Sequence, residues 1–123
     1  MKLSLKDRVL ILNAVMPRFG SREEMILKQS IGNKIQLSKA DESVVSYRNL
    51  GSGAFDVSFK TVEAITGASE FDLTDEELLY LKKRVDHLDK QGMFAIENMD
   101  SYNKILEAKF ASKEYQKKWE EKS

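Results

Sequence analysis

A helix that is apolar nearly all the way round has to be wrapped by the rest of its protein, and residues 6–16, KDRVLILNAVM, predict one. At about 100° per residue, Val9, Leu10, Ile11, Leu12, Ala14, Val15 and Met16 cover most of the circumference. Pro17 disfavours helical geometry at the residue before it and ends the segment. This helix is therefore expected at the centre of the core. After the PRFG turn, Ser21 opens a second predicted helix running to about Lys34, with Gly32 weakening its last turn.

From Val44 the hydrophobic period changes to two. VVSYRN, then LGSG, then AFDVSFK read as two strands joined by a glycine-containing loop. Phe55, Val57 and Phe59 alternate with Asp56, Ser58 and Lys60, the pattern of a half-buried antiparallel sheet. Residues 61–68 carry no clear period, and SEFDL is a candidate third strand.

The helical period returns over Asp75 to Gln91, where Leu78, Leu81, Val85 and Leu88 make one stripe and Gly92 suits the position just past the helix end. A last helical region starts near Glu97 and carries Met99, Tyr102, Ile105, Leu106 and Phe110. The expected fold class is α+β: two N-terminal helices, a small antiparallel sheet of two or three strands, and two C-terminal helices around a single core. A chain of 123 residues is one domain. Its expected extent is residues 1–112, with 113–123 a charged tail, helical or frayed.

Three short stretches echo one another. MKLSLKDR, IQLSKADE and FDLTDEE each place Leu before Ser or Thr, with an acidic residue three positions later. The pairs are Ser4 with Asp7, Ser38 with Asp41 and Thr74 with Glu77; Ser21 with Glu24 makes a fourth without the Leu. This is the capping-box signature, in which hydroxyl and carboxylate satisfy each other's backbone N–H groups at a helix start. Leu3, Leu37 and Leu73 are spaced 34 and 36 apart, but the segments between them differ, so the echo marks helix starts and not a helical repeat.

Composition removes several classes of chemistry. The chain has no cysteine, which excludes disulfides, thiolate nucleophiles and cysteine-held zinc. The longest apolar run, VLIL at 9–12, is too short to span a bilayer, and Asp7 interrupts any leader-like stretch, so a cytoplasmic location is expected. His87 is the single histidine; it lies opposite the apolar stripe of its helix and reads as a solvated side chain. No phosphate-cradling loop, metal-binding pattern or nucleophile elbow occurs. No enzyme activity, catalytic residue, cofactor or metal is expected.

Two kinds of partner remain. Net charge is zero, yet residues 1–39 hold eight Lys and Arg against three Asp and Glu, and residues 40–100 hold six against thirteen. Helix, PRFG turn and helix over residues 6–34 follow the order of a helix-turn-helix, with Arg18, Arg22, Lys28, Gln29 and Asn33 as candidate contacts to nucleic acid. Glu23 and Glu24 in the first turn of the would-be recognition helix oppose phosphates. The other partner is protein, either a second copy or another chain. Tyr80 lies off the main stripe of its helix, while Tyr115 and Trp119 stand four residues apart amid charges, a candidate partner surface.

LSLKDRVLILNAVMP and LTDEELLYLKKRVDHLDKQG together resemble small proteins of bacteriophage and prophage origin. Those open with LxLKxR, an apolar helix and a Pro, and later carry LTxEE before a helix ending in LDxxG. The resemblance covers half of the chain, and residues 40–68 contribute nothing to it. It implies an accessory or assembly protein without a catalytic role, and brings no functional residues with it. The expected function is non-enzymatic protein–protein interaction as an oligomer, and the alternative is a small DNA-binding regulator.

Overall fold

The computed structural model describes residues 1–51 and 54–122. Among them the elements run β1 (Lys2–Leu3), α1 (Leu5–Leu10), a π-helical turn (Ile11–Val15), α2 (Arg22–Ile35), α3 (Lys39–Ser43), β2 (Val45–Gly51), β3 (Ala54–Phe59), α4 (Glu63–Thr66), β4 (Ser69–Glu70), α5 (Asp75–Lys90), α6 (Ile96–Glu107) and α7 (Lys113–Lys122). The class is α+β, with more short helices than the periodicity suggests.

The apolar N-terminal segment is not one regular helix. After Leu10 its ladder widens by a residue, so that the Met16 N–H donates to Ile11 O at 3.1 Å. Asn13 donates its side-chain amide to Val9 O at 2.9 Å, the local competition that unsettles an i→i−4 ladder. The widened turn is closed from outside, since Arg84 Nε donates to Val15 O at 3.1 Å and Lys28 Nζ to Pro17 O at 3.0 Å. Val9, Ile11, Val15 and Met16 are buried, but Leu10 and Leu12 are half-buried and Ala14 is exposed, so the segment is packed on one side and not wrapped all the way round.

Strands β2 and β3 form the expected hairpin, with Val45 opposite Phe59 and Tyr47 opposite Val57. Those four share one face; Val45 is buried, Val57 and Phe59 half-buried, and Tyr47 half out in solvent. Ser52 and Gly53 of the expected loop, and the Phe55 side chain, lie outside the described residues. The third strand is a correction. Ser69–Glu70 pairs antiparallel with Lys2–Leu3 in a separate two-stranded sheet, because the intervening α4 carries the chain away from the hairpin and back to the start of α1.

Helix α5 is the axis of the molecule. Leu78, Leu81, Val85 and Leu88 are all buried, as their stripe predicts, but so are Glu77, Tyr80 and Lys82. On the helical wheel these seven span about 200°, because α2 and the π turn pack on one side and α6 and α7 on the other. Gly92 follows α5 at φ 68°, a left-handed value that glycine adopts without penalty. The last helical region is split. It stops at Glu107, and after an irregular stretch α7 turns back onto α5. Asp75, in the first turn of α5, fixes the reversal by accepting from the N–H groups of Ala111 at 2.7 Å and Ser112 at 2.9 Å.

Candidate functional site

All four capping boxes form with both reciprocal hydrogen bonds. The three that follow a Leu do something further: each carboxylate also takes a cation from a different helix. Asp7 receives Lys104 of α6 together with the Ser101 hydroxyl at 2.6 Å. Glu77 receives Lys34 of α2 at 2.6 Å and the Ser30 hydroxyl at 2.6 Å. Asp41 receives Arg8 of α1 at 3.3 Å, and the same guanidinium caps Ile35 O and Gln36 O at the end of α2. Glu24, in the box without the Leu, has no such cation among the described residues.

Asp7 and Glu77 are buried, and burial alone would push both carboxyls up. The hydrogen bonds from lysine, serine and backbone N–H, with the lysine charge, outweigh it and hold both below the ordinary carboxylate range. A carboxylate engaged on every side is a fastener, not a general base. Lys82 is the third buried ion, only 1% exposed. Its ammonium donates to the last carbonyls of α6, Ile105 O at 3.0 Å and Leu106 O at 2.7 Å, and lies 5.3 Å from the Phe110 ring centre and 5.6 Å from that of Trp119. Desolvation pushes its pKa down to about 8.

Of the expected partner surface, Tyr80 and Tyr115 line one hollow between α2, α5 and α7, while Trp119 lies over Lys82. Tyr80 is 7% exposed and belongs to the core, since α2 covers the side of α5 that the stripe alone would leave open. Its hydroxyl is buried and, among the described residues, has no hydrogen-bond partner. A buried hydroxyl with no acceptor costs free energy, so Tyr80→Phe is expected to leave stability unchanged or raise it by up to about 1 kcal/mol. A loss of midpoint in urea unfolding would contradict this burial. Tyr115 and Trp119 are half-buried by the return of α7, with the Tyr115 ring 5.9 Å from Phe110 and Trp119 over Lys82. Both aromatics pack on their own domain.

Of the candidate nucleic-acid contacts, Arg22, Gln29 and Asn33 share one exposed face of α2, within about 40° on the wheel. Exposed Ile26 sits between them, and Glu23 flanks the face. Lys28 is turned away to cap Pro17 O, and Arg18 lies in the turn, its guanidinium 5.4 Å from the Phe19 ring. His87 is exposed. Among the described residues no cluster of His, Asp and Glu could hold a metal ion, and no helix is long and apolar enough to cross a membrane.

What spacing along the chain did not indicate is a groove of about 610 Å³ between the hairpin and the helices. Tyr47 and Val57 of the hairpin's apolar face form one wall, and Val9, Leu10 and Leu88 line the helical side. Among the described residues ten line it and none of them is charged, whereas a chain one third charged would ordinarily place about three charges among ten. The hollow between α2, α5 and α7, by contrast, is ringed by Glu23, Glu76, Lys83, Arg84 and Lys118. Met93 and Asn98 continue the groove along the α5–α6 connection, where Met93, Ile96 and Met99 are 61%, 88% and 43% exposed.

Comparison of the chain with models of protein families, with curated proteins and with solved structures gives no match.

Proposed function

We propose that this chain is a non-catalytic protein-interaction module, of an assembly or accessory kind, that docks an apolar surface in the groove between β2–β3 and the α5–α6 connection. The observation carrying this reading is the absence of charge, among the described residues, from a groove whose lining exposes Tyr47 and Met93. Exposed apolar side chains gathered at one place mark contact sites, where scattered ones do not. Methionine suits such a lining because its unbranched, polarizable side chain repacks around different occupants. The buried carboxylates and Lys82, all engaged by their own fold, support a scaffold more than a reaction centre. DNA binding is less well supported, because the α2 face sets one arginine among a glutamate and an isoleucine, and phosphate contacts dominate affinity for duplexes.

The neutral dye Nile red, whose emission rises in apolar surroundings, tests the reading. Wild-type protein is expected to bind it saturably, and Met93→Glu to weaken binding at least tenfold. Phe19→Glu, which changes an exposed aromatic outside the groove, is expected to leave it intact. Equal loss in both variants, or no saturable binding, would sink the groove as a docking surface.

A further inference from the structure

The register of the hairpin fixes which main-chain groups its outer edges present. The Lys60 N–H donates to Val44 O at 2.8 Å, so Val44 and Lys60 stand opposite each other at a bonded position. Bonded and unbonded pairs alternate along an antiparallel ribbon. Val45 with Phe59 and Tyr47 with Val57 are therefore unbonded pairs, whose N–H and C=O groups point away from the partner strand. Those of Tyr47 lie on the outer edge of β2 and those of Val57 on the outer edge of β3. Among the described residues nothing bonds to them, and no further strand joins this sheet. The same two residues form the hairpin's wall of the uncharged groove. Free main-chain groups and an apolar cleft thus meet at one place.

We infer that the occupant is an extended, uncharged segment of another protein, which adds as a strand to a free edge of the hairpin and drops every second side chain into the groove; the inference rests on the interaction reading above. Free edge N–H and C=O groups are answered by another extended main chain, and pockets beside the edge then select alternate side chains. The groove selects against charge, because its lining offers no counter-ion and an unpaired charge is costly to desolvate. Two asparagines of the lining add places for an amide. Asn13 donates its amide to Val9 O, which leaves its side-chain carbonyl as an acceptor. Asn98 accepts from the Ala95 N–H at 2.8 Å, which leaves its own amide N–H groups as donors. The ion pair of Arg48 with Asp56 lies on the opposite face of the hairpin and leaves the inner face to apolar contact. A two-stranded ribbon needs more packing than it has here, since Tyr47 on that inner face is 51% exposed.

A heptapeptide of alternating valine and threonine, acetylated and amidated so that it carries no charge, tests the inference by titration of the full chain. Saturable binding is expected, with amide exchange at Tyr47 or Val57 slowed by about tenfold or more, since neither N–H is bonded in the free chain. The same peptide methylated at every backbone nitrogen, which keeps the side chains but loses the donors, is expected to bind at least about tenfold more weakly. Glutamate in place of its valines is expected to weaken it as much. Met93→Glu should lose the unmodified peptide and Phe19→Glu should retain it. Full affinity for the methylated peptide, binding that leaves both amides exchanging freely, or no binding at all overturns strand addition. Slowed exchange on raising the concentration of the wild-type chain alone overturns it too, in favour of a second copy at the edge. If Nile red still binds in a manner lost in Met93→Glu, only the strand is wrong; if it does not, the groove reading falls as well.

Discussion

Asp7→Ala is expected to lower the free energy of unfolding by about 3 kcal/mol and the melting temperature by roughly 10 °C. The change removes one carboxylate but leaves the Ser4 N–H and the Ser101 hydroxyl buried without acceptors. The Lys104 ammonium is part exposed and can turn to water, which keeps the loss below that of a fully enclosed ion pair. Asp41→Ala, in the same motif at the half-buried start of α3, is expected to cost nearer 1 kcal/mol, the ordinary value of a helix cap. Thermal melts of the two variants side by side check the ratio; equal losses would mean that the link from α1 to α6 contributes nothing beyond capping. Acid has a related effect. Asp7 and Glu77 titrate below their unfolded values of 3.8 and 4.5, so the stability they supply is complete only above those values and is lost as pH falls through their lowered folded values.

Lys82 is expected to act at the other end of the scale. Below pH about 8 it is protonated folded and unfolded alike, and the folded state carries the full cost of burying the ammonium. Between about 8 and the ordinary value near 10.5 the unfolded chain holds the proton more often, so stability rises with pH, by about 3 kcal/mol in all. Tyr80 and Tyr102, raised by burial, titrate in the opposite sense above pH 10, which leaves the window from about 8 to 10 to Lys82. In Lys82→Met, which keeps the volume without the charge, urea unfolding should show this rise abolished. A rise of the same size in the variant would place its origin elsewhere.

The parts of this fold legible in the sequence are those coded locally. Ser4, Ser38 and Thr74 mark three helix starts through bonds that span three residues, and the stripe of α5 is a property of one helix. The switch to period two marks the hairpin for the same reason. What the carboxylates do beyond capping depends on Arg8, Ser30, Lys34, Ser101 and Lys104, which lie 33 to 97 residues away and have no fixed spacing from them. The burial of Lys82 did have a signal, because on the wheel it falls within about 40° of Leu78. Tyr80 reads as free only if α5 has one packed side. The groove has no signature of its own: it is assembled from residues 9–14, 47–57 and 88–102, each of which reads separately as core, strand or helix.

The claim at the centre of this account is that the chain docks an apolar surface in the groove between the hairpin and the α5–α6 connection. The direct measurement is the ¹⁵N–¹H spectrum of the wild-type chain titrated with Nile red. Saturable shifts are predicted at Asn13, Tyr47, Val57, Met93 and Asn98, with α2 and α7 unmoved. Shifts confined to residues 18–33 or 113–121, or a spectrum that does not change with the dye, would contradict it.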